Sequence, residues 1–294
     1  MARIVCAGHV NWDLTLRVPR LPDPDGEVTV TEQRGAGGGS AANVAAGLAG
    51  LGHDVALLGS VGDDERGRRA VADLAAAGVD CSLLRTGAGE TTVKRLLVDD
   101  RGQVTVLAAD GANEAFEASD LPERRLAAAD HLHLTGQDPD TARRLAERAV
   151  AAGVPVSVDP GCRVDRPATG TVLARADVVF LNDSEAATAH REGLLDRAAG
   201  AAVITQGADG AELESSETVH SHAGFRSNPV DTTGAGDAFA AGYLSARLDG
   251  ADRGEALAVA NACGALAVES LGARTRLTPE AVTARQSTSD NSGT

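Results

Sequence analysis

His131-Leu132-His133-Leu134-Thr135, followed by TARRLAERAVAA at 141–152 and Val154-Pro155-Val156-Ser157-Val158, reads as a strand, a helix and a second strand. Both strand segments are short apolar runs, and the segment between them has helix length and an Ala/Leu/Val face. The same rhythm extends outward in both directions. Strand candidates recur at 3–8, 54–60, 177–181 and 201–205, and helix candidates at 40–51, 65–77, 235–248 and 254–269. Runs apolar on both faces, separated by helices, predict a parallel sheet covered on both sides. The expected fold class is therefore α/β, one doubly wound domain spanning 1–285. Two stretches break the rhythm, LTLRVPRLPDPDGEVTVTEQR at 14–34 and TTVKRLLVDDRGQVTVLA at 91–108. Their polar/apolar alternation, with turn signals at Pro22–Gly26 and Asp99–Gly102, predicts hairpins or paired extended strands beside the main sheet, suited to a lid or a dimer contact. The tail 286–294, QSTSDNSGT, is polar and aperiodic and is expected to be disordered.

The chain has 294 residues with 42 acids against 27 bases, a formal net charge of −15, and Lys94 is its only lysine. Such a field repels polyphosphate, so nucleic acid is excluded as a partner. Dense carboxylate with almost no lysine suggests a halophilic chain, made for concentrated salt that screens its self-repulsion. Residues 1–8 enter a strand pattern directly, and no apolar run reaches the roughly 18 residues of a membrane span. A cytoplasmic protein without a membrane partner is expected. Cys6, Cys81, Cys162 and Cys263 form no C-x-x-C pair and are expected to be four buried thiols.

Asp231-Thr232-Thr233-Gly234-Ala235-Gly236-Asp237 runs into the helical pattern at 235–248. Small residues at 234–236 let consecutive backbone N–H groups converge at a helix N-terminus, which makes an anion site. Asp237 in the first turn reads either as a structural cap or as a base. In the second case it accepts a hydroxyl proton while the hole holds charge on a transferred phosphoryl group. Gly35-Ala36-Gly37-Gly38-Gly39-Ser40-Ala41-Ala42-Asn43 is either a connector or a place where backbone approaches a ligand, with Asn43 offering donor and acceptor to a polyol. A dinucleotide fingerprint at Gly37-x-Gly39-x-x-Ala42 is the rival reading, but such a motif should close the first strand, which ends near Gly8. A P-loop needs a lysine after glycine, and Lys94 follows Val93.

These two segments resemble the signature motifs of the ribokinase, or PfkB carbohydrate kinase, family, and further matches follow in order over roughly 3–276. Asn11-Trp12-Asp13 is similar to the family's N-x-D, Asn182-Asp183-Ser184-Glu185 to its N-x-x-E, and Thr205-Gln206-Gly207-Ala208-Asp209-Gly210 to its T-x-G-x-x-G. Gly111-Ala112-Asn113 also recurs in members. The resemblance implies a ribokinase-like sheet with a small β-lid and in-line transfer of the ATP γ-phosphoryl group to a hydroxymethyl. It makes Asp237 the base, Gly234, Ala235 and Gly236 the anion hole, and Asn11, Asp13, Gly38, Gly39 and Asn43 the acceptor cradle. Asn182, Thr205, Gly207, Gly210 and Asn261 would face the nucleotide. Glu185 would hold Mg²⁺ through water, Asp231 and the Thr233 carbonyl a monovalent cation such as K⁺, and a homodimer would form through the lid.

The strand 131–134 leads into Thr135-Gly136-Gln137-Asp138 where ribokinase has a sugar-binding glutamate, which argues against free ribose. With Asp159-Pro160-Gly161, that stretch resembles archaeal nucleoside or ribosyl-type kinases. Only 2% of residues are aromatic, so a nucleobase would find few rings. Trp12 is the one large ring near the site, or else a core-edge tryptophan. Lys94 and Arg95 in the second lid stretch, with Arg163, are candidates for holding a phosphate already on the substrate, or simply solvated bases. The expected acceptor is a sugar or sugar phosphate such as ribose 1-phosphate, the alternative a nucleoside. A NAD-dependent oxidoreductase and a non-catalytic sugar-binding regulator are the remote readings. His131 and His133 share a strand face but lack a third metal ligand, His220 and His222 likewise, and Asp63-Asp64 reads as a structural loop.

Overall fold

Side-chain alternation in the first strand shows how the core is built: Ile4 and Cys6 pack into one apolar cluster, Val5 and Ala7 into the other. The computed structural model describes every residue except 102, 110, 199 and 288–294. Its strands are β1 (Arg3–Ala7), β2 (Asn11–Arg17), β3 (Glu32–Gly38), β4 (Asp54–Gly62), β5 (Leu84–Gly87), β6 (Val93–Val98), β7 (Val104–Ala109), β8 (His131–Thr135), β9 (Val156–Asp159), β10 (Val178–Asn182), β11 (Ala201–Thr205), β12 (Ala211–Glu214) and β13 (Val219–His222). The helices are α1 (Ser40–Gly50), α2 (Glu65–Ala76), α3 (Glu123–Ala127), α4 (Pro139–Ala152), α5 (Thr169–Leu173), α6 (Asp183–Arg191), α7 (Ala235–Leu248), α8 (Arg253–Val268) and α9 (Pro279–Ser287).

The main sheet has the order β13-β12-β11-β10-β9-β8-β1-β4-β5. From β11 to β5 all neighbours are parallel, and β12 and β13 add an antiparallel edge. From β1 the chain builds outward through β4 on one side, then through β8, β9, β10 and β11 on the other. The order therefore reverses between β1 and β8, where a crevice opens beyond the carboxyl ends of the strands. Helices α1, α7 and α8 cover one face and α4, α5 and α6 the other. Small residues let α7 and α8 pack closely, since a Cβ on Gly242 would lie 2.7 Å from Cys263 Sγ. Helix α4 is bounded by the Asp138 side chain, which accepts from the Thr141 N–H at 2.9 Å, and by left-handed Gly153.

The lid is a four-stranded sheet, β3-β2-β6-β7, with β2 and β6 parallel and the other pairs antiparallel. The Gly-rich stretch 35–38, for which the sequence offers either a connector or a backbone approach to a ligand, is the end of lid strand β3. It pairs with β2, and its glycines admit side chains from that strand and from the loop after α8. The dinucleotide reading fails there, because Gly37 lies within a lid strand rather than after β1. The expected tail at 286–294 starts too early: Gln286 and Ser287 belong to α9, while 288–294 and the turn position Gly102 lie outside the described residues. Nor are all four thiols buried. Cys6 and Cys263 are, Cys81 is half-buried, and Cys162 is exposed in a short turn after β9. Among the described residues no helix is long and apolar enough to cross a membrane.

Candidate active site

The start of α7 lies at the crevice. Gly234 holds φ +77° and a Cβ there would overlap the Ala273 carbonyl, so only glycine fits this turn. Ala235 N–H makes a long bond of 3.3 Å to the Thr232 carbonyl. No hydrogen bond engages the N–H groups of Gly234, Gly236 or Asp237 among the described residues, leaving donors at the positive end of the helix dipole. Ala235 and Gly236 border a cleft of about 650 Å³ lined also by Asn182, Thr205, Gly207, Gly210 and Asn261 together with Phe225, Phe239 and Val268. All five residues expected at the nucleotide thus meet in one cavity. Asn182 and Glu185 cap α6 reciprocally, each side chain accepting the other's backbone N–H at 2.9 Å. Burial raises the Glu185 carboxyl above its ordinary range. Asp159, at the end of β9, is pushed up to about 8 by desolvation and then by the carboxylates of Glu185 and Asp237. Asp231 ties two loops together, accepting from Thr233 N–H and from Gly272 N–H at 2.9 Å each.

On the other side of Asp237 lie the residues expected at the acceptor. Asp13 is buried beneath β3, where any Cβ on Gly38 would overlap its carboxylate. Gly39, at φ +97°, caps α1, and its close approach to the His9 carbonyl leaves no room for a Cβ. Asn43 donates Nδ2–H to Asp237 Oδ2 at 2.8 Å, and Asn113 donates to Asn11 Oδ1 at 3.1 Å. Among the described residues, the buried side-chain polar atoms without a partner are Asn11 Nδ2, Asp13 Oδ1, Thr92 Oγ1, Thr135 Oγ1, Gln137 Nε2, Arg274 Nη1 and His133 Nε2. All but the last belong to segments meeting at the β1–β8 crevice or on the lid beside it. Buried polar groups are otherwise paired, so such a concentration marks where a hydroxyl-rich ligand completes the bonding.

Strand register sorts the lid bases. Lys94 pairs with Asp13 across β2 and β6 and so shares its face, and its charge favours the ionised forms of both Asp13 and Asp237. Arg95 pairs with Leu14 and points to the opposite face, so it does not join Lys94 at the site. Arg163 Nη2 is 2.8 Å from Glu114 Oε1, which also meets His9 Nε2 at 2.6 Å. The Trp12 ring covers Gly35 on the face away from Asp13 and packs on the core, as its core-edge reading anticipated. His131 and His133 both bond Ser157 Oγ at 2.8 Å, and desolvation pushes them down to about 4 and about 3, which makes them neutral core groups. Asp64 caps α2 through Gly67 N–H, the structural role expected of that loop.

Arg274, Glu114 and Asp159 were not singled out as site residues from sequence. Arg274 lies 231 positions from Asn43, to which its Nε donates at 3.0 Å. No local pattern encodes that meeting, whereas the position of Asp159 at a strand's carboxyl end could have marked it. Chemically, Asp237 sits between free backbone donors and a buried polyol cradle. Desolvation, opposed by Asn43, Lys94 and Ser40, sets its carboxyl at about 6, suited to taking a hydroxyl proton near neutrality.

The profile of the pfkB family of carbohydrate kinases matches residues 1–281. An ATP-dependent ribose-1-phosphate kinase of Halopiger xanaduensis is 50% identical over 97% of this chain and 98% of its own. A nucleoside kinase of Methanothermobacter thermautotrophicus is 29% identical over 95% and 94%. The fold is shared with the Methanocaldococcus jannaschii nucleoside kinase (TM-score 0.85, 24% identity, 98% and 99% of the two chains). It is also shared with the Thermotoga maritima ribokinase (TM-score 0.87, 22% identity, 98% and 100%). With the family profile matching residues 1–281 and a relative 50% identical over nearly the whole chain, the chain belongs to the pfkB family of carbohydrate kinases.

Proposed function

We propose that the protein transfers the γ-phosphoryl group of ATP to the hydroxymethyl oxygen of ribose 1-phosphate. The observation that carries this reading is Lys94. In a chain of net charge −15 the only lysine lies in register with Asp13, on the face of the lid that covers the acceptor pocket. A compact ammonium there suits a phosphate already on the sugar. The activity named for the 50% identical relative supports the same substrate. With C1 phosphorylated, C5 carries the sugar's only primary hydroxyl, which fixes the acceptor atom chemically.

In this mechanism Asp13 and Asn11 hold the ring hydroxyls, and Asn43 holds Asp237. The hydroxymethyl oxygen attacks the γ-phosphorus as its proton passes to the Asp237 carboxylate. The new O–P bond forms as the bond to the β-phosphate oxygen breaks, and the N–H groups at 234–237 stabilise the phosphoryl oxygens. Glu185 and Asp159, the latter pushed up to about 8 by burial first and then by the charges of Glu185 and Asp237, are the carboxylates that would hold a divalent cation bound mainly through water and phosphate. Among the described residues no three His, Cys, Asp or Glu side chains form a cage of their own. Mg²⁺ held there with the nucleotide would supply positive charge that offsets the charge of the transferred phosphate. Asp231 and the Thr233 carbonyl, in a turn already tied to Gly272, are the place for a monovalent cation, testable as K⁺-dependent activity.

Exposed Val104, Val106 and Leu107 on the edge strand β7 support a lid-mediated homodimer, checked by light scattering. A halophilic, cytoplasmic chain remains our reading of the composition, and refolding below about 0.5 M salt would contradict the salt requirement. The substrate assignment is tested by a coupled assay with ATP in high salt on ribose 1-phosphate, ribose, fructose phosphates and nucleosides. Ribose 1-phosphate should give the highest kcat/KM, and a nucleoside in that place would favour the alternative.

A further inference from the structure

Arg274 stands on the loop after α8 with an arrangement unlike that of a structural ion pair. Its Nε donates to Asn43 Oδ1 and its Nη2 to the Gly38 carbonyl, each at 3.0 Å. Nη1 is buried without a partner and packs under Gly37. No carboxylate of the described residues lies within 4.0 Å of the guanidinium, although Asp13, Asp73 and Asp237 are near enough to favour its charged form. Burying a cation without a contact counter-ion is costly, and here the charge faces two carboxylates of the site.

The chemistry of Asn43 explains what the guanidinium does. An amide has one acceptor and one donor end, and the two are hard to tell apart by shape. Asn43 lies between a group that only donates, Arg274, and a carboxylate that, when ionised, only accepts, Asp237. One orientation satisfies both contacts; the flipped one sets N–H against guanidinium and C=O against carboxylate. We propose that Arg274 is a positioning residue for phosphoryl transfer, orienting Asn43 so that its Nδ2–H fixes the Asp237 carboxylate in place for the acceptor hydroxyl. The same loop reaches the anion hole, because the Ala273 carbonyl abuts Gly234 and Gly272 N–H bonds Asp231. One three-residue segment thus braces both the base and the turn that holds the phosphoryl group. The inference rests on Asp237 being the base.

The test compares the wild type with Arg274→Gln, Arg274→Lys, Asn43→Ala and the Arg274→Gln/Asn43→Ala double variant, using ATP and whichever acceptor the wild type phosphorylates. Arg274→Gln should lower kcat about 100-fold while leaving the KM for ATP within about 3-fold. Its acid limb of kcat should move to higher pH, since losing a cation near Asp237, which also faces Lys94, Asp13 and Asp159, favours the protonated carboxyl. Arg274→Lys keeps the charge but not the fork, so it should keep the acid limb and still lose about 10-fold in kcat. The double variant should be no slower than Asn43→Ala alone. A kcat within about 3-fold of wild type in Arg274→Gln, or losses that multiply in the double variant, would overturn the proposal. Should Arg274→Gln not fold, Arg274→Lys decides by the same criterion, with wild-type kcat as the contradicting result. The base assignment is checked separately by Asp237→Asn: turnover retained there overturns the assignment, whatever the Arg274 variants do.

Discussion

The end of the cleft proposed for the nucleotide is built from backbone donors, glycines and apolar walls at 205–210, 234–236 and 261–268, whereas the end proposed for the acceptor is built from side chains, Asn11, Asp13, Asn43, Gln137 and Arg274. Backbone N–H groups survive almost any substitution, so the first end can stay the same while substrates change. Side-chain groups are replaced one at a time, so on the proposed reading the second end is where substrate choice would be set. That division agrees with similar proteins named for ribose 1-phosphate and for nucleosides.

The comparison breaks first at the residue shared by both ends. Asp237→Asn should lower kcat by about 10³-fold or more while leaving ATP affinity within about 2-fold. Equal loss of both would mean that Asp237 serves the nucleotide rather than the proton. Gly234→Ala tests the backbone end. It must place a Cβ against the Ala273 carbonyl at positive φ, a strain of about 1–2 kcal/mol before the overlap is counted. The KM for ATP should rise and Tm should fall by roughly 3–6 °C, with the acceptor KM little changed.

Protonation sharpens the contrast further. Because Asp237 titrates at about 6, kcat/KM should fall about 10-fold per pH unit below that value as the base takes up its proton, and a flat profile down to pH 5 would contradict its role. Asp159 is held at about 8, above the ordinary carboxylate value of 3.8. The folded protein therefore binds a proton there that the unfolded chain releases, and stability drains away as pH rises from about 4 to about 8. Asp159→Asn should raise Tm by about 2–5 °C at pH 8 and scarcely at pH 4, with weaker binding of the metal–nucleotide complex. Thermal scans at the two pH values check this.

The strand–helix alternation was readable because the buried strands carry short runs with Val, Leu or Ile and the longer covering helices, such as α1, α4, α7 and α8, are Ala-rich. Helix α7 falls at 235–248 as its pattern predicts. Strands β5, β12 and β13 escaped notice because Leu84-Arg85-Thr86-Gly87, Ala211-Glu212-Leu213-Glu214 and Val219-His220-Ser221-His222 are short and half polar, as sheet edges are. At the site, residues inside local motifs were legible, Asp13, Asn43 and Asp237 among them. Arg274 and Glu114 were not, since each acquires its partners through the folding of distant segments. Arg95 was misjudged with Lys94 because adjacent strand residues face opposite ways, and only the register says which one faces Asp13.

The claim that the acceptor already carries a phosphate, read by Lys94, is tested most directly by the kinetics of Lys94→Ala on ribose 1-phosphate and ATP. The account predicts a KM for ribose 1-phosphate raised about 10-fold or more, equivalent to about 1.4 kcal/mol, with the KM for ATP nearly unchanged. Equal increases in both, or none in either, would contradict it.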